Sequence, residues 1–501
     1  MNLEREMHGG VSPDNPIIPG FHPDPSVCRV EDQYFLATSS FTLFPGVPIF
    51  RSDSLVDWEQ IGNALDRESQ LNLSGTKDWV SLGAFAPTLR HHDGLFWLII
   101  TVFGSPNPTF FVTAQDPAGP WSEPVPVAIR GIDPDLAWDE LGNCWVHFAG
   151  NGIERCRIDD QTGEILEGPE PTWSGTGLQY PEAPHLFSHD GSWYLLIAEG
   201  GTERGHAVSV ARGPTPLGPW ESCPFNPILS HRSTDQPIQN TGHADMVCAP
   251  DGSWWMVLLG VRPRGITPGF HVLGRETFLT TIDWTNGWPS PGEVDLKITA
   301  APPGPTTTHP LHLRVDFDES SLGPEWISVR RPPSSSSSLV ERPGWLTLHG
   351  TDASLGSPEP VFVARRQQHH FCRIRTQVEA PNGVEAGLAV WIDPSAHYEI
   401  AVAGHRVVAA ARIGPLCSVV GEALRPSGPA TLTIETMPHG HGPDAIRLGI
   451  EDGSGSTQVL AELDGRYLST EVAGGFFGRI VGVYAIGGDA SFQWFEYEGL
   501  A

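Results

Sequence analysis

Residues 181–200 read PEAPHLFSHDGSWYLLIAEG. A glutamate, Glu182, stands between Pro181 and Pro184. An apolar run, an Asp190-Gly191 pair and a second, aromatic-rich run follow. The prolines exclude an ordinary helix interior and argue against a central strand. The backbone at Glu182 is therefore expected to be fixed, with its carboxylate aimed at something. Asp-Gly between apolar runs is the strongest short hairpin signal.

The same signature recurs along the chain. HPDPSVCRVEDQYFLAT begins at His22, FAPTLRHHDGLFWLIIT at Phe85, IDPDLAWDELGNCWVHF at Ile132 and GHADMVCAPDGSWWMVLLG at Gly242. Asp93-Gly94 and Asp251-Gly252 supply further hairpin turns. Most copies precede a second element, a strand, a turn and a Trp, as in IFRSDSLVDWEQI and VSVARGPTPLGPWES. Two hairpins per unit make four strands, and five units recur every roughly 50–60 residues, a propeller-like period. Residues 1–300 are expected to form a five-bladed β-propeller. Residues 301–311 are rich in Pro and Thr and read as a linker. From 312 to 501, short runs such as CRIRTQVEA and YEIAVAG alternate apolar and polar side chains, the pattern of a β-sandwich. RPPSSSSSL at 331–339 reads as a mobile low-complexity loop. The expected fold class is all-β, a five-bladed β-propeller followed by a C-terminal β-sandwich.

Composition agrees. Gly (56) and Pro (47) are abundant in the 501 residues and only 18% are charged, which suits turn-rich β structure. Seventeen Trp supply core and stacking surfaces for flat ligands such as sugar rings. A net charge of -29 argues against nucleic acid or an anionic membrane as partner. The seven cysteines are scattered singly, without CxxC, so neither a zinc site nor a disulfide framework is expected. No apolar run reaches the roughly 18 residues of a membrane span. The N-terminus MNLEREMHGG has no secretory pattern, and the expected location is cytoplasmic.

In a propeller the innermost strand of each blade lines a central channel. The repeats place Asp24, Asp133 and Glu182 at equivalent positions there, with Phe85-Ala86 and His243 in the other two blades. Converging carboxylates raise one another's pKa, a costly arrangement unless chemistry uses it. Two carboxyl groups flanking a sugar bond perform glycoside hydrolysis, one protonated and one ionised. Glu182, in its apolar Pro-flanked setting, is the candidate acid, Asp24 the base and Asp133 a third charge that tunes Glu182. Asp-Pro pairs also initiate ordinary turns, the plainer reading of Asp24 and Asp133.

NPIIPGFHPDPSVCRV, GIDPDLAWD, YPEAPHLF, EGGTERGHAVSVA, NTGHADMV and LGRETF together resemble glycoside hydrolase family 43, closest to its two-domain β-xylosidases and α-L-arabinofuranosidases. The resemblance covers nearly the whole chain. It implies an inverting mechanism with Asp24 as general base, Asp133 as pKa modulator and Glu182 as general acid. It further implies that Arg275 reaches the sugar hydroxyls and the base, that His243 is the central-channel histidine, and that Thr202 stands near the sugar pocket. Phe41 and Phe85 would be its aromatic walls. Relatives often carry Trp where Phe85 and Phe44 stand. GGFFGRIVGV matches a sandwich loop that closes the site, with Phe476 or Phe477 as the lid. No cofactor is required, although in parts of the family the channel histidine sits near a water-coordinated calcium, so a structural calcium is possible. Relatives are often dimers or tetramers, so a homo-oligomer is an expectation as well.

The implied activity is exo-acting release of D-xylose, L-arabinose or both from xylo-oligosaccharides or arabinoxylo-oligosaccharides, in xylan degradation. An α-L-arabinofuranosidase that debranches arabinoxylan is the alternative within the enzyme class. A noncatalytic carbohydrate-binding propeller is the alternative outside it, and it would have no need of Glu182 and Asp24 together.

Overall fold

The computed structural model describes residues 14–73, 82–300, 304 and 312–500. Among them, the first 291 residues contribute five consecutive antiparallel sheets. The first sheet runs Ser26–Val30, Gln33–Ala37, Gly46–Ser52 and Glu59–Leu65 in chain order. The corresponding inner strands of the other four are Thr88–His92, Ile132–Trp138, Glu182–His189 and Gln239–Cys248. These inner strands touch in succession, and that of the fifth sheet touches that of the first, so the sheets close a ring.

Local sequence explains the hairpins. Asp93 and Gly94 have φ of 49° and 75°, and Asp190 and Gly191 have 46° and 72°. Both central residues are left-handed, as a tight turn matched to strand twist requires. Asp251-Gly252 behaves differently. It sits in a longer loop, where the Asp251 carboxylate accepts from the Ser253 amide and hydroxyl. The prolines beside Glu182 are also accommodated. Glu182–His189 is an edge strand of its sheet, and its ladder is broken by a bulge between Glu182 and His185, where Pro184 costs no hydrogen bond.

The ring is tied where its ends meet. Asn15 donates to the Leu279 and Asp295 carbonyls and accepts from the Leu279 amide, and Ile18 pairs with Thr277. Tryptophans join neighbouring sheets. His92 stacks on Trp138 at 4.2 Å and His189 on Trp284 at 3.9 Å.

The remaining chain forms two packed sheets. One holds eight strands, including Cys372–Glu379 and Asp489–Gly499, and the other holds six, including Glu385–Asp393 and Ile480–Ile486. Cys372, Ile374, Thr376 and Val378 are buried in alternation with more accessible Arg373, Arg375 and Gln377, the signature of a sheet with one face on a core. That core continues into the first part of the chain through Phe21, Phe41 and Leu43. Ser328–Val329 also pairs with Leu43–Phe44. The expected linker 301–311 lies, apart from Gly304, outside the described residues. The expected mobile loop at 331–339 is instead built into the sheet. Pro333–Ser335 forms a short 3-10 turn, Ser337–Ser338 pairs with Leu346–His349, and buried Pro333 and Leu339 anchor the segment. Apolar residues at its two ends override the serine-rich composition.

Asn15→Ala leaves the Leu279 amide and two carbonyls without their side-chain partner. It is expected to lower stability by about 2–3 kcal/mol, measured as a shifted urea midpoint. A change below about 0.5 kcal/mol would show that the ring does not depend on this tie.

Candidate active site

Four of the five inner strands carry a kink at or near their start. Asp24, Asp133, Ala183 and His243 have φ of 57°, 51°, 52° and 46°, left-handed values that side-chain-bearing residues rarely adopt. The ladders fix the register. Ile132 faces Ala149 and Asp135 faces His147; Glu182 faces Ala198 and His185 faces Leu196; Gly242 faces Leu259 and Asp245 faces Val257. Asp133, Ala183 and His243 are thus equivalent, and Glu182 matches Ile132 and Gly242. The expected equivalence of Glu182 with Asp24 and Asp133 is one residue out. Pro25, Pro134 and Pro184 mark the true register, and the acidic residues do not.

The slip does not separate the carboxylates. Asp24, Asp133 and Glu182 line one cavity of about 440 Å³, together with His243, Arg275 and Thr202. Phe41, Phe85 and Phe476 form its aromatic wall. Phe41 and Phe476 stack at 5.6 Å, and Phe85 lies 4.9 Å from Phe41. Phe477 does not line the cavity. It is buried beneath, 5.3 Å from Phe21 and 5.7 Å from Phe41. Phe44 belongs to the core between the first two sheets. No tryptophan lines this cavity among the described residues.

Arg275 organises the base side. Its Nη1 donates to Asp24 Oδ1 at 2.9 Å and to Thr202 Oγ1 at 3.1 Å. Its guanidinium stands 5.5 Å from the Phe41 ring centre and 5.4 Å from that of Phe476. Its Nε and Nη2 are buried without a hydrogen-bond partner among the described residues. Ser39 Oγ donates to Asp24 Oδ2 at 2.6 Å, a contact that sequence reasoning missed. Burial pushes the Asp24 carboxyl upward, but Arg275, His243 and Ser39 outweigh it and hold it below its ordinary range. Glu182 is driven the other way. Burial foremost, then the Asp24 charge, raise it to about 7 against the pull of Arg275. Asp133 is raised well above the carboxylate range, by burial first and then by Glu182 and Asp24. The Ala183 amide donates to its Oδ2 at 3.2 Å. Burial lowers His243 to about 3 and His206 to about 4, so both are neutral. His206 was also missed. Its ring lies where a Gly242 Cβ would stand, and only glycine admits it.

The sandwich reaches the cavity by close backbone approach. A Cβ on Gly478 would lie 2.2 Å from the Leu273 carbonyl, and one on Gly274 2.8 Å from Gly478 Cα. The Arg479 amide donates to the Val272 carbonyl. Glu471 accepts from the His271 amide at 2.9 Å and meets His271 Nδ1 at 2.6 Å. Gly474 and Gly475, at φ of 82° and 76°, then turn the chain so that Phe476 faces the cavity.

Deeper in the ring, Arg90 pairs with Asp135 and Asp245, each at 2.8 Å, and Ser26 Oγ donates to Asp245 at 2.9 Å. No cluster of three His, Cys, Asp or Glu side chains able to hold a metal occurs among the described residues. Calcium takes six to eight oxygen ligands, whereas Asp135 and Asp245 already face the Arg90 guanidinium. These residues do not fit a directly coordinated calcium ion.

A pocket with one carboxyl held low and another raised, walled by aromatic rings, has the parts for acid–base chemistry. The sequence profile of "Glycosyl hydrolases family 43" matches residues 13–289, and that of "Beta xylosidase C-terminal Concanavalin A-like domain" matches 314–498. The chain belongs to glycosyl hydrolases family 43 and is a glycoside hydrolase. It is 36% identical to the non-reducing end alpha-L-arabinofuranosidase BoGH43B of Bacteroides ovatus, over 97% of this chain and 94% of that one. It is equally 36% identical to a xylosidase/arabinosidase of Butyrivibrio fibrisolvens, over 95% and 96%. The solved xylan beta-1,4-xylosidase of Bacillus halodurans superposes with a TM-score of 0.89 at 31% identity, covering 97% of this chain and 99% of that chain.

Two measurements address this geometry. Asp24→Asn removes a charge that raises the Glu182 pKa, so the Glu182 carboxyl should titrate lower, read by carbon-13 NMR of labelled glutamate. An unchanged or higher value would deny the coupling. Glu471→Ala should speed amide exchange across residues 474–478. Unchanged protection would mean that the His271 contact does not hold the Phe476 loop.

Proposed function

We propose that this chain is an exo-acting, inverting glycosidase that releases D-xylose, and in a second activity L-arabinose, from the non-reducing ends of xylo-oligosaccharides. The observation that carries the reading is the convergence of Asp24 and Glu182 on one cavity, the first held below its ordinary range by Arg275 and Ser39 and the second raised to about 7 by burial. The five-sheet ring is read as a five-bladed propeller, and the sandwich as the part that closes its pocket.

In this mechanism Asp24 takes a proton from water as the water oxygen bonds to the anomeric carbon. The glycosidic C–O bond breaks, and Glu182 gives its proton to the leaving oxygen. Asp133 accepts from the Ala183 amide and so holds the backbone beside Glu182. Arg275 serves twice, holding Asp24 charged and offering its unpartnered Nε and Nη2 to sugar hydroxyls. Phe41, Phe85 and Phe476 take the apolar face of the sugar. Water, acid and base complete the reaction, so no cofactor is invoked. The arabinofuranosidase reading draws on the name of the Bacteroides ovatus relative, and the two activities of the Butyrivibrio fibrisolvens relative favour one pocket for both sugars.

Initial rates on 4-nitrophenyl β-D-xylopyranoside and 4-nitrophenyl α-L-arabinofuranoside test the choice. Xyloside turnover above arabinoside turnover is expected, and the reverse order would transfer the proposal to debranching. Glu182→Ala should cost about 10²- to 10⁴-fold in kcat on xylobiose, and much less on the aryl glycosides, whose leaving group needs little acid help. The kcat/KM profile should fall on its basic side near pH 7, where Glu182 loses its proton, and on its acid side as Asp24 gains one. Proton NMR of early product should show α-xylose from the β-xyloside. A folded wild-type protein inert on every substrate would return the binding reading.

A further inference from the structure

Tyr180 stands two residues before Glu182, at the mouth of the cavity. It is 67% exposed, the most exposed aromatic side chain in this lining. Its φ is 52°, a left-handed value that a bulky aromatic residue adopts only when its surroundings enforce it. The surroundings do so at three points. The fully buried Glu199 carboxylate accepts from the Thr176 amide at 2.8 Å and from its hydroxyl at 2.7 Å, which anchors the preceding loop. The Gly200 amide donates to the Gln179 carbonyl at 2.6 Å. Finally, the Tyr180 ring edge lies 3.3 Å from where a Gly201 Cβ would stand, so the glycine admits the ring against its backbone. The backbone that carries the exposed ring is thus held in place, and the Tyr180 hydroxyl bonds to no described residue.

We propose that Tyr180 is the platform for the leaving-group sugar, a pyranose unit of the xylo-oligosaccharide stacked on its exposed ring. The inference rests on the proposed glycosidase reading. Glu182 must reach the glycosidic oxygen, and Phe41, Phe85 and Phe476 take the sugar that is released. The sugar beyond that oxygen must therefore leave past Glu182 toward the mouth, where Tyr180 is the aromatic surface. A rigid ring takes a pyranose face with little ordering cost. Tyr180 acts here as a specificity-determining residue for the leaving group.

The test compares xylobiose, which fills both positions, with β-D-xylopyranosyl fluoride, which has no second sugar. With the fluoride, water bonds to the anomeric carbon, the C–F bond breaks, fluoride departs and Asp24 takes the water proton. Tyr180→Ala should lower kcat/KM on xylobiose by about tenfold more than on the fluoride, chiefly through KM. Tyr180→Phe, which keeps the ring, should restore the wild-type ratio. Equal losses on both substrates, or none on either, would overturn the proposal. Wild-type protein inert on the fluoride would overturn the xylosidase reading on which the proposal rests, because that substrate needs only the inner pocket and the base.

Discussion

A single guanidinium, that of Arg275, sets the character of the site. It is almost wholly buried, and its one strong partner is the carboxylate of Asp24. An ion pair out of water is costly unless further bonds complete it, and Ser39 and Thr202 do so from two other segments. The consequence is a carboxylate that stays charged in an apolar pocket. That fixed charge in turn raises the proton affinity of Glu182 and Asp133. Burial pushes all three acids up, and the arginine and serine beside Asp24 single that one out to stay charged.

The position of Arg275 depends on both halves of the molecule. Residue 274 has to be glycine, since Gly478 of the sandwich lies against it. The same approach carries Phe476 to the arginine, where its ring stacks on Phe41. The sandwich thus contributes a wall and, by excluding water on that side, strengthens the Asp24–Arg275 attraction. His271 and Glu471 extend the join to the start of the lid loop.

Much of this was legible in the sequence, for identifiable reasons. Period-two alternation and Asp-Gly turns report directly on hairpins, so strands such as Cys372–Glu379 and Ser192–Glu199 were readable. The three acids were recognisable because each adjoins proline or stands one residue from an X-Pro pair. Their register was not, because the repeat signature is set by the left-handed residue before each proline, and in the fourth sheet that residue is Ala183, which has no chemistry to notice. Ser39 and His206 gave no signal, since a serine after a strand and a histidine after a glycine are common everywhere. The choice between Phe476 and Phe477 depended on which face the Gly474-Gly475 turn presents, a property of two positive φ values that spacing does not encode. Arg90, beside a hairpin turn in the sequence, lies between Asp135 and Asp245 in the ring, a pairing that spacing does not encode.

The one-residue offset of Glu182 has a chemical consequence of its own. Asp24 and Asp133 occupy the kinked position itself. Glu182 occupies the residue before the kink and has a longer side chain. Displacing one acid of the three by a residue, and lengthening it by a methylene, breaks the symmetry that the repeat would otherwise impose. The same displacement puts Glu182 next to the loop held by Glu199, on the side of the cavity that opens outward. Asp24, the proposed base, meets the inner wall through Ser39 and Arg275, and Glu182, the proposed acid, meets the mouth. A substrate aligned between them has its released sugar enclosed by phenylalanines and its remaining chain directed out of the pocket.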